Sequence, residues 1–128
     1  MKDLIINSKA NKADYYLISK LPIVVKNEIL LIPLSSILKM EADGSCTKIY
    51  TNSNKMFTVT KILAHFEKTL PNSFLRVHDK FIININFVEK IICEHHWSIE
   101  LSDKTIIRIS DTKKDLLISA LGLAINEL

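Results

Sequence analysis

A chain of 128 residues with 48% apolar and 24% charged side chains is long enough for one hydrophobic core, too short for two, and has the composition of an ordinary globular domain. Its formal charge of +3, from 17 basic and 14 acidic residues, permits phosphate neutralisation without demanding it, and no block of like charge marks a basic arm. No apolar run approaches the roughly 20 residues of a membrane span and the N-terminus lacks a signal-peptide core, so no membrane partner is expected and the cytosol is the expected compartment.

Residues 1–20 mix Asn, Lys, Ser and Asp with short apolar pairs, without period or cap. They read as an N-terminal extension or linker to a domain over residues 21–128. Ile23-Val24-Val25 and Ile29-Leu30-Leu31-Ile32 flank Lys26-Asn27-Glu28, which predicts a hairpin with a three-residue loop. Leu34 to Ile37 forms a short turn, after which Leu38, Met40 and Ala42 alternate with Lys39 and Glu41, the period of a half-buried strand. Asp43-Gly44 turns the chain into a second alternating run from Cys46 to Thr51, and Asn52-Ser53-Asn54 turns it into Lys55 to Val59. Thr60 is the expected N-cap of a helix carrying Ile62, Leu63, Phe66 and Leu70, stopped by Pro71.

The stretch Phe74 to Phe87 sets a crowded polar turn, Arg76-Val77-His78-Asp79-Lys80, between apolar flanks. Phe87 to Glu94 and Trp97 to Leu101 read as a hairpin around His95-His96, with Trp97, Ile99 and Leu101 on one face. Ser102-Asp103 leads into Thr105 to Ile109, and Ser110 or Asp111 is expected to cap a last helix with the stripe Leu116, Leu117, Ala120, Leu121, Ala124, Leu128. About eight to ten short strands and two helices, without strand–helix–strand alternation, describe an antiparallel β architecture.

Several clusters carry potential chemistry. In the polar turn, alternation puts Arg76 and His78 on one side of a strand and leaves Asp79 and Lys80 in the loop; on spacing alone, a solvated loop with an Arg–Asp pair is the simpler reading. Cys93-Glu94-His95-His96 has metal-ligand residue types but no second pair to complete a site, so it reads as a polar hairpin tip and no metal or other cofactor is expected. His78-Asp79, Glu41 and Asp43 lack any nucleophile motif, and the only glycines are Gly44 and Gly122. Neither an enzyme nor a small-molecule substrate is therefore expected. Cys46 and Cys93 are too few for a disulfide scaffold and read as small buried hydrophobes in strands. The last helix either seals the core or serves as a homodimer seam.

The spacing Phe74-x-Arg76-Val77-His78-x-x-Phe81-Ile82-Ile83-Asn84 resembles the signature of LytTR-type DNA-binding domains, the output domains of bacterial response regulators, roughly F-x-R-x-H-(R/K/N)-S-(Y/F)-(I/L)-(V/I)-N. Asp79 stands where that signature has a basic or amide residue, and Lys80 where it has serine. The likeness runs from about Ile29 to the start of the last helix. It implies a mainly β fold of elongated antiparallel sheets with one short internal helix and a C-terminal helix. It also implies a transcription regulator, or its output domain, that binds double-stranded DNA through three turns in successive major grooves. Carried onto this sequence, the turns supply Asp43, Ser45 and Lys48; then Arg76, His78, Asp79 and Lys80; then Arg108, Ser110, Asp111, Lys113 and Lys114. A carboxylate in a groove accepts from a cytosine amino group or weakens binding. Asp79 and Asp111 thus leave an alternative, a LytTR-like protein-interaction or dimerisation module with weakened DNA binding.

Overall fold

The computed structural model describes residues 19–124. The extension over residues 1–20, Ser19 and Lys20 apart, and Leu128 of the last apolar stripe lie outside the described residues. The apolar runs pair as antiparallel ladders in three sheets. β1 (Lys20–Val25) and β2 (Glu28–Pro33) form a hairpin. A five-stranded sheet joins β3 (Ile37–Asp43), β4 (Cys46–Thr51), β5 (Met56–Val59), β6 (Phe74–His78) and β7 (Phe81–Asn84) in the order β5-β4-β3-β7-β6. The third sheet holds β8 (Val88–Ile92), β9 (Ser98–Leu101) and β10 (Ile106–Arg108), with β9 in the middle. Helix α1 (Leu63–Thr69) lies between β5 and β6 in sequence, and α2 (Lys114–Ala120) follows β10. This is the mainly β, antiparallel architecture with an internal and a C-terminal helix that the sequence implies.

The central strand β3 explains why the core is double. Ile37, Met40, Ile49 and Ile82 pack with Leu63 and Phe66 from α1, with Leu70 just after it, and with Leu21 and Ile23 from β1. Leu38, Leu75, Val77 and Ile83 pack instead with Ile99, Leu101, Ile107, Ile109 and Leu117. A register shift between Ile37 and Lys39 breaks the alternation of β3, so Leu38 and Met40 serve opposite clusters, where the sequence predicts one shared apolar face. Both faces are covered, so even Lys39 is 8% exposed. Its ammonium donates to Thr105 Oγ1 at 3.3 Å and sits 4.7 Å from the centre of the Tyr50 ring, which offsets the cost of burying the charge.

Five local expectations are corrected. Val25 pairs with Glu28, so the first hairpin turns on Lys26 and Asn27 alone, with Lys26 left-handed at φ 53°. Helix α1 has Ile62 at its N-cap position and no side-chain cap; Thr60 lies two residues too early to cap it, in a segment that the Thr47 hydroxyl ties to β4 by donating to the Lys61 carbonyl at 2.7 Å. Neither Ser110 nor Asp111 caps α2, since a 3-10 turn over Asp111–Lys113 intervenes and Ser110 makes no side-chain capping bond. The last stripe is also shorter than its spacing predicts. Gly122, at φ 73°, and the bond from Leu123 N to Ile118 O at 3.1 Å end the helix in the manner of a glycine C-terminal motif. Of the stripe, Leu117 is buried while Leu116, Ala120, Leu121 and Ala124 are exposed. The cysteines differ too: Cys46 is half-buried, and Cys93 is exposed because β8 ends at Ile92.

Candidate nucleic-acid interface

The turn between β6 and β7 is built by its own flanking residues. A register shift between Arg76 and His78 leaves Val77 as an extra residue facing the core, and the chain then reverses over Asp79 and Lys80. The Arg76 guanidinium donates through Nε to the His78 carbonyl at 3.2 Å, through Nη2 to the Asp79 carbonyl, and through Nη1 to the Glu67 carboxylate at 2.9 Å. One planar fork thus ties the turn to itself and to α1. The Lys80 N–H donates to His78 Nδ1 at 3.1 Å. Nδ1 is therefore the unprotonated nitrogen, and Nε2–H is the donor His78 has left to offer. The side chains of Asp79 and Lys80 are exposed, and neither forms an ion pair among the described residues.

Two backbone bonds align this turn with the other two predicted segments. Ala42 N donates to Lys80 O at 2.9 Å, and β3 pairs with β7 up to Glu41 and Phe81. The β3–β4 turn over Gly44 and Ser45 therefore stands beside Asp79 and Lys80. On the other side, Ser110 N donates to Val77 O at 2.9 Å, which brings the Arg108–Lys114 segment against β6. Gly44, at φ 62° with open space around it, supplies the left-handed residue that the tight β3–β4 turn requires. The three groups of predicted residues thus lie along one end of the five-stranded sheet.

Charges are partly settled inside this row. Asp43 pairs with Lys48 at 3.9 Å and Asp111 with Lys114 at 3.8 Å. The Tyr50 hydroxyl donates to Glu41 at 2.9 Å; burial first, then that bond and the charges of Glu41 and Asp43, hold it above its ordinary pKa. Lys114 also lies 5.4 Å from the Trp97 ring centre. Arg108 donates through Nη2 to His96 Nδ1 at 2.9 Å. Ser45 and Arg108 are exposed, and Ser110 and Lys113 half-buried.

Sequence reasoning missed what several motif residues do. Asn84 is buried, donates through Nδ2 to the Ile37 carbonyl at 3.0 Å and accepts from Asn86 N at 3.1 Å. It therefore locks the end of β7 to the start of β3. Its position in the signature was the available signal. Spacing marks Cys93-Glu94-His95-His96 only as a polar hairpin tip and Trp97 as the start of a strand, yet His96 touches Arg108 and Trp97 touches Lys114; nothing in the local spacing marks those contacts. Among the described residues no cluster of three His, Cys, Asp or Glu side chains could hold a metal ion, and no helix is long and apolar enough to cross a membrane.

A family model described as the LytTr DNA-binding domain matches residues 27–122. The heme-containing CO-sensing transcriptional regulator RcoM 1 of Paraburkholderia xenovorans is 30% identical over 74 residues, covering 57% of this chain and 27% of that protein. The sensory transduction protein LytR of Staphylococcus epidermidis is 31% identical over 78 residues, covering 60% of this chain and 29% of that one. The alignments thus span less than a third of these curated relatives. In fold, the chain is similar to the LytTr DNA-binding domain of a Bacillus cereus protein described as a methyl-accepting/DNA response regulator. The TM-score is 0.71 over 82% of this chain and 98% of that one, at 23% identity.

Proposed function

Because the chain belongs to the LytTr DNA-binding domain family, we propose that it binds double-stranded DNA sequence-specifically, as a transcription regulator or its output domain. Residues 21–128 are the DNA-binding unit in this reading, and residues 1–20 an extension. The observation that carries it is the pair of bonds Ala42 N to Lys80 O and Ser110 N to Val77 O, which hold three polar segments in one row. Such a row suits successive major grooves along one side of a duplex. Lys80 and Lys113 neutralise phosphates, and Nε2–H of His78 donates to one.

The acidic residues divide by partner. Asp43 and Asp111 sit beside Lys48 and Lys114, which reduces their repulsion from phosphates. Asp79 pairs with no lysine among the described residues and is the carboxylate offered to a cytosine amino group. Two copies on a repeated site would gain by avidity, and Leu116 and Leu121 are exposed apolar side chains available for pairing.

Lys80→Ala tests the turn contact. The substitution should weaken binding to all duplexes alike and flatten the slope of log affinity against log salt by about 0.9. Titration of labelled duplex across a salt series reads both quantities. An unchanged slope and unchanged affinity would remove Lys80 from the interface.

A further inference from the structure

Beyond the three predicted segments, the hairpin tip between β8 and β9 bears on the same face. Its last residue is fixed to the third segment, because Ile109 N donates to Trp97 O at 2.9 Å. Lys114 rests on the Trp97 ring at 5.4 Å, and Arg108 donates to His96 Nδ1 at 2.9 Å. His95 meets His96 edge-on, with ring centres 4.5 Å apart. Both histidines and Arg108 are exposed, so these contacts contribute little to the core. They instead hold a guanidinium that would otherwise be free at the end of an edge strand.

The chemistry follows from the donor at each atom. Arginine has no acceptor, so His96 Nδ1 is the acceptor and Nε2 carries the hydrogen. The remaining guanidinium N–H groups and Nε2–H are donors without an acceptor among the contacts of the tip. Donors of that kind beside a cation fit an oxyanion. We propose that the β8–β9 tip is a fourth DNA-facing element, in which His96 positions Arg108 so that the guanidinium holds a backbone phosphate next to the Arg108–Lys114 segment. The inference rests on the chain being a DNA-binding domain. A phosphate contact of this kind adds affinity and register but carries no base preference.

The test uses the full chain and one duplex titrated over a salt series, with circular dichroism melting to check that each variant folds. Arg108→Ala should weaken binding about tenfold and reduce the salt slope by about 0.9. His96→Ala should weaken it about threefold, and His96→Asn, whose side-chain oxygen can replace Nδ1 as acceptor, should retain most of the affinity. Because His96 acts through Arg108, the double variant should bind no worse than Arg108→Ala alone. Glu94→Gln, which removes an exposed negative charge from the tip, should strengthen binding about twofold. Strictly additive losses, or no loss on His96→Ala, overturn the positioning role. If the wild type binds duplex through Lys80 while the Arg108, His96 and Glu94 variants leave affinity and slope unchanged, the tip proposal alone fails. If the wild type binds no duplex even at low salt, the DNA-binding reading fails with it.

Discussion

Leu117→Asp is expected to unfold most of the domain. Leu117 is fully buried in the cluster that joins α2 to β6, β9 and β10. Removing its side chain forfeits a Leu→Ala penalty, and the new carboxylate has no partner there, for a combined loss of about 5 kcal/mol. That is comparable to the whole stability of an ordinary small domain. The neighbouring Leu116 is 44% exposed, so Leu116→Asp should change stability by no more than about 0.5 kcal/mol. Urea unfolding followed by circular dichroism separates the two. Equal midpoints for both variants would mean that α2 does not seal the second cluster.

Arg76→Ala is the second large effect, and it is expected to act on DNA binding from inside the protein. The substitution removes the bonds to the carbonyls of His78 and Asp79 and to the carboxylate of Glu67. With its fork gone, the turn that presents Asp79 and Lys80 loses its fixed geometry. Duplex affinity should fall roughly 10- to 100-fold, reflecting about 1.5–3 kcal/mol for bonds made by a charged donor. Arg76→Lys should rescue little, because an ammonium cannot span the same acceptors. Hydrogen exchange of the free protein distinguishes positioning from direct contact. The Lys80 amide, bonded to His78 Nδ1, should exchange faster in Arg76→Ala. Weaker binding with unchanged Lys80 exchange would assign Arg76 to the DNA itself.

These two residues show what the sequence does and does not make legible. Strand alternation identifies most of the ladders, since a period of two survives even where a bulge interrupts it. It misplaces Leu38 and Met40 because a register shift is a tertiary decision, made where β3 is covered on both faces. The caps fail on position: Thr60 has the right chemistry for an N-cap, but the cap position falls two residues later, at Ile62, after a segment that Thr47 ties to β4. Gly122 was visible as a glycine, yet only its left-handed φ and the Leu123–Ile118 bond show it ending the helix.

At the candidate interface, the signature marks the scaffold more than the contact. Phe74, Ile82 and Ile83 are core, Asn84 is a buried clasp, and Arg76 and His78 brace the turn. The two positions that depart from the signature, Asp79 and Lys80, are the exposed ones. The residues that hold the fold and the residues left exposed at the turn are therefore different residues of one stretch. The His96–Arg108 contact joins positions 12 residues apart through strand pairing, which no local pattern reports.

Whether the domain reads DNA sequence is decided by selecting bound duplexes from a random pool. A defined motif should be enriched, containing a cytosine whose preference disappears in Asp79→Asn while the rest of the motif persists. A bound pool indistinguishable from the input at low salt would contradict sequence-specific binding.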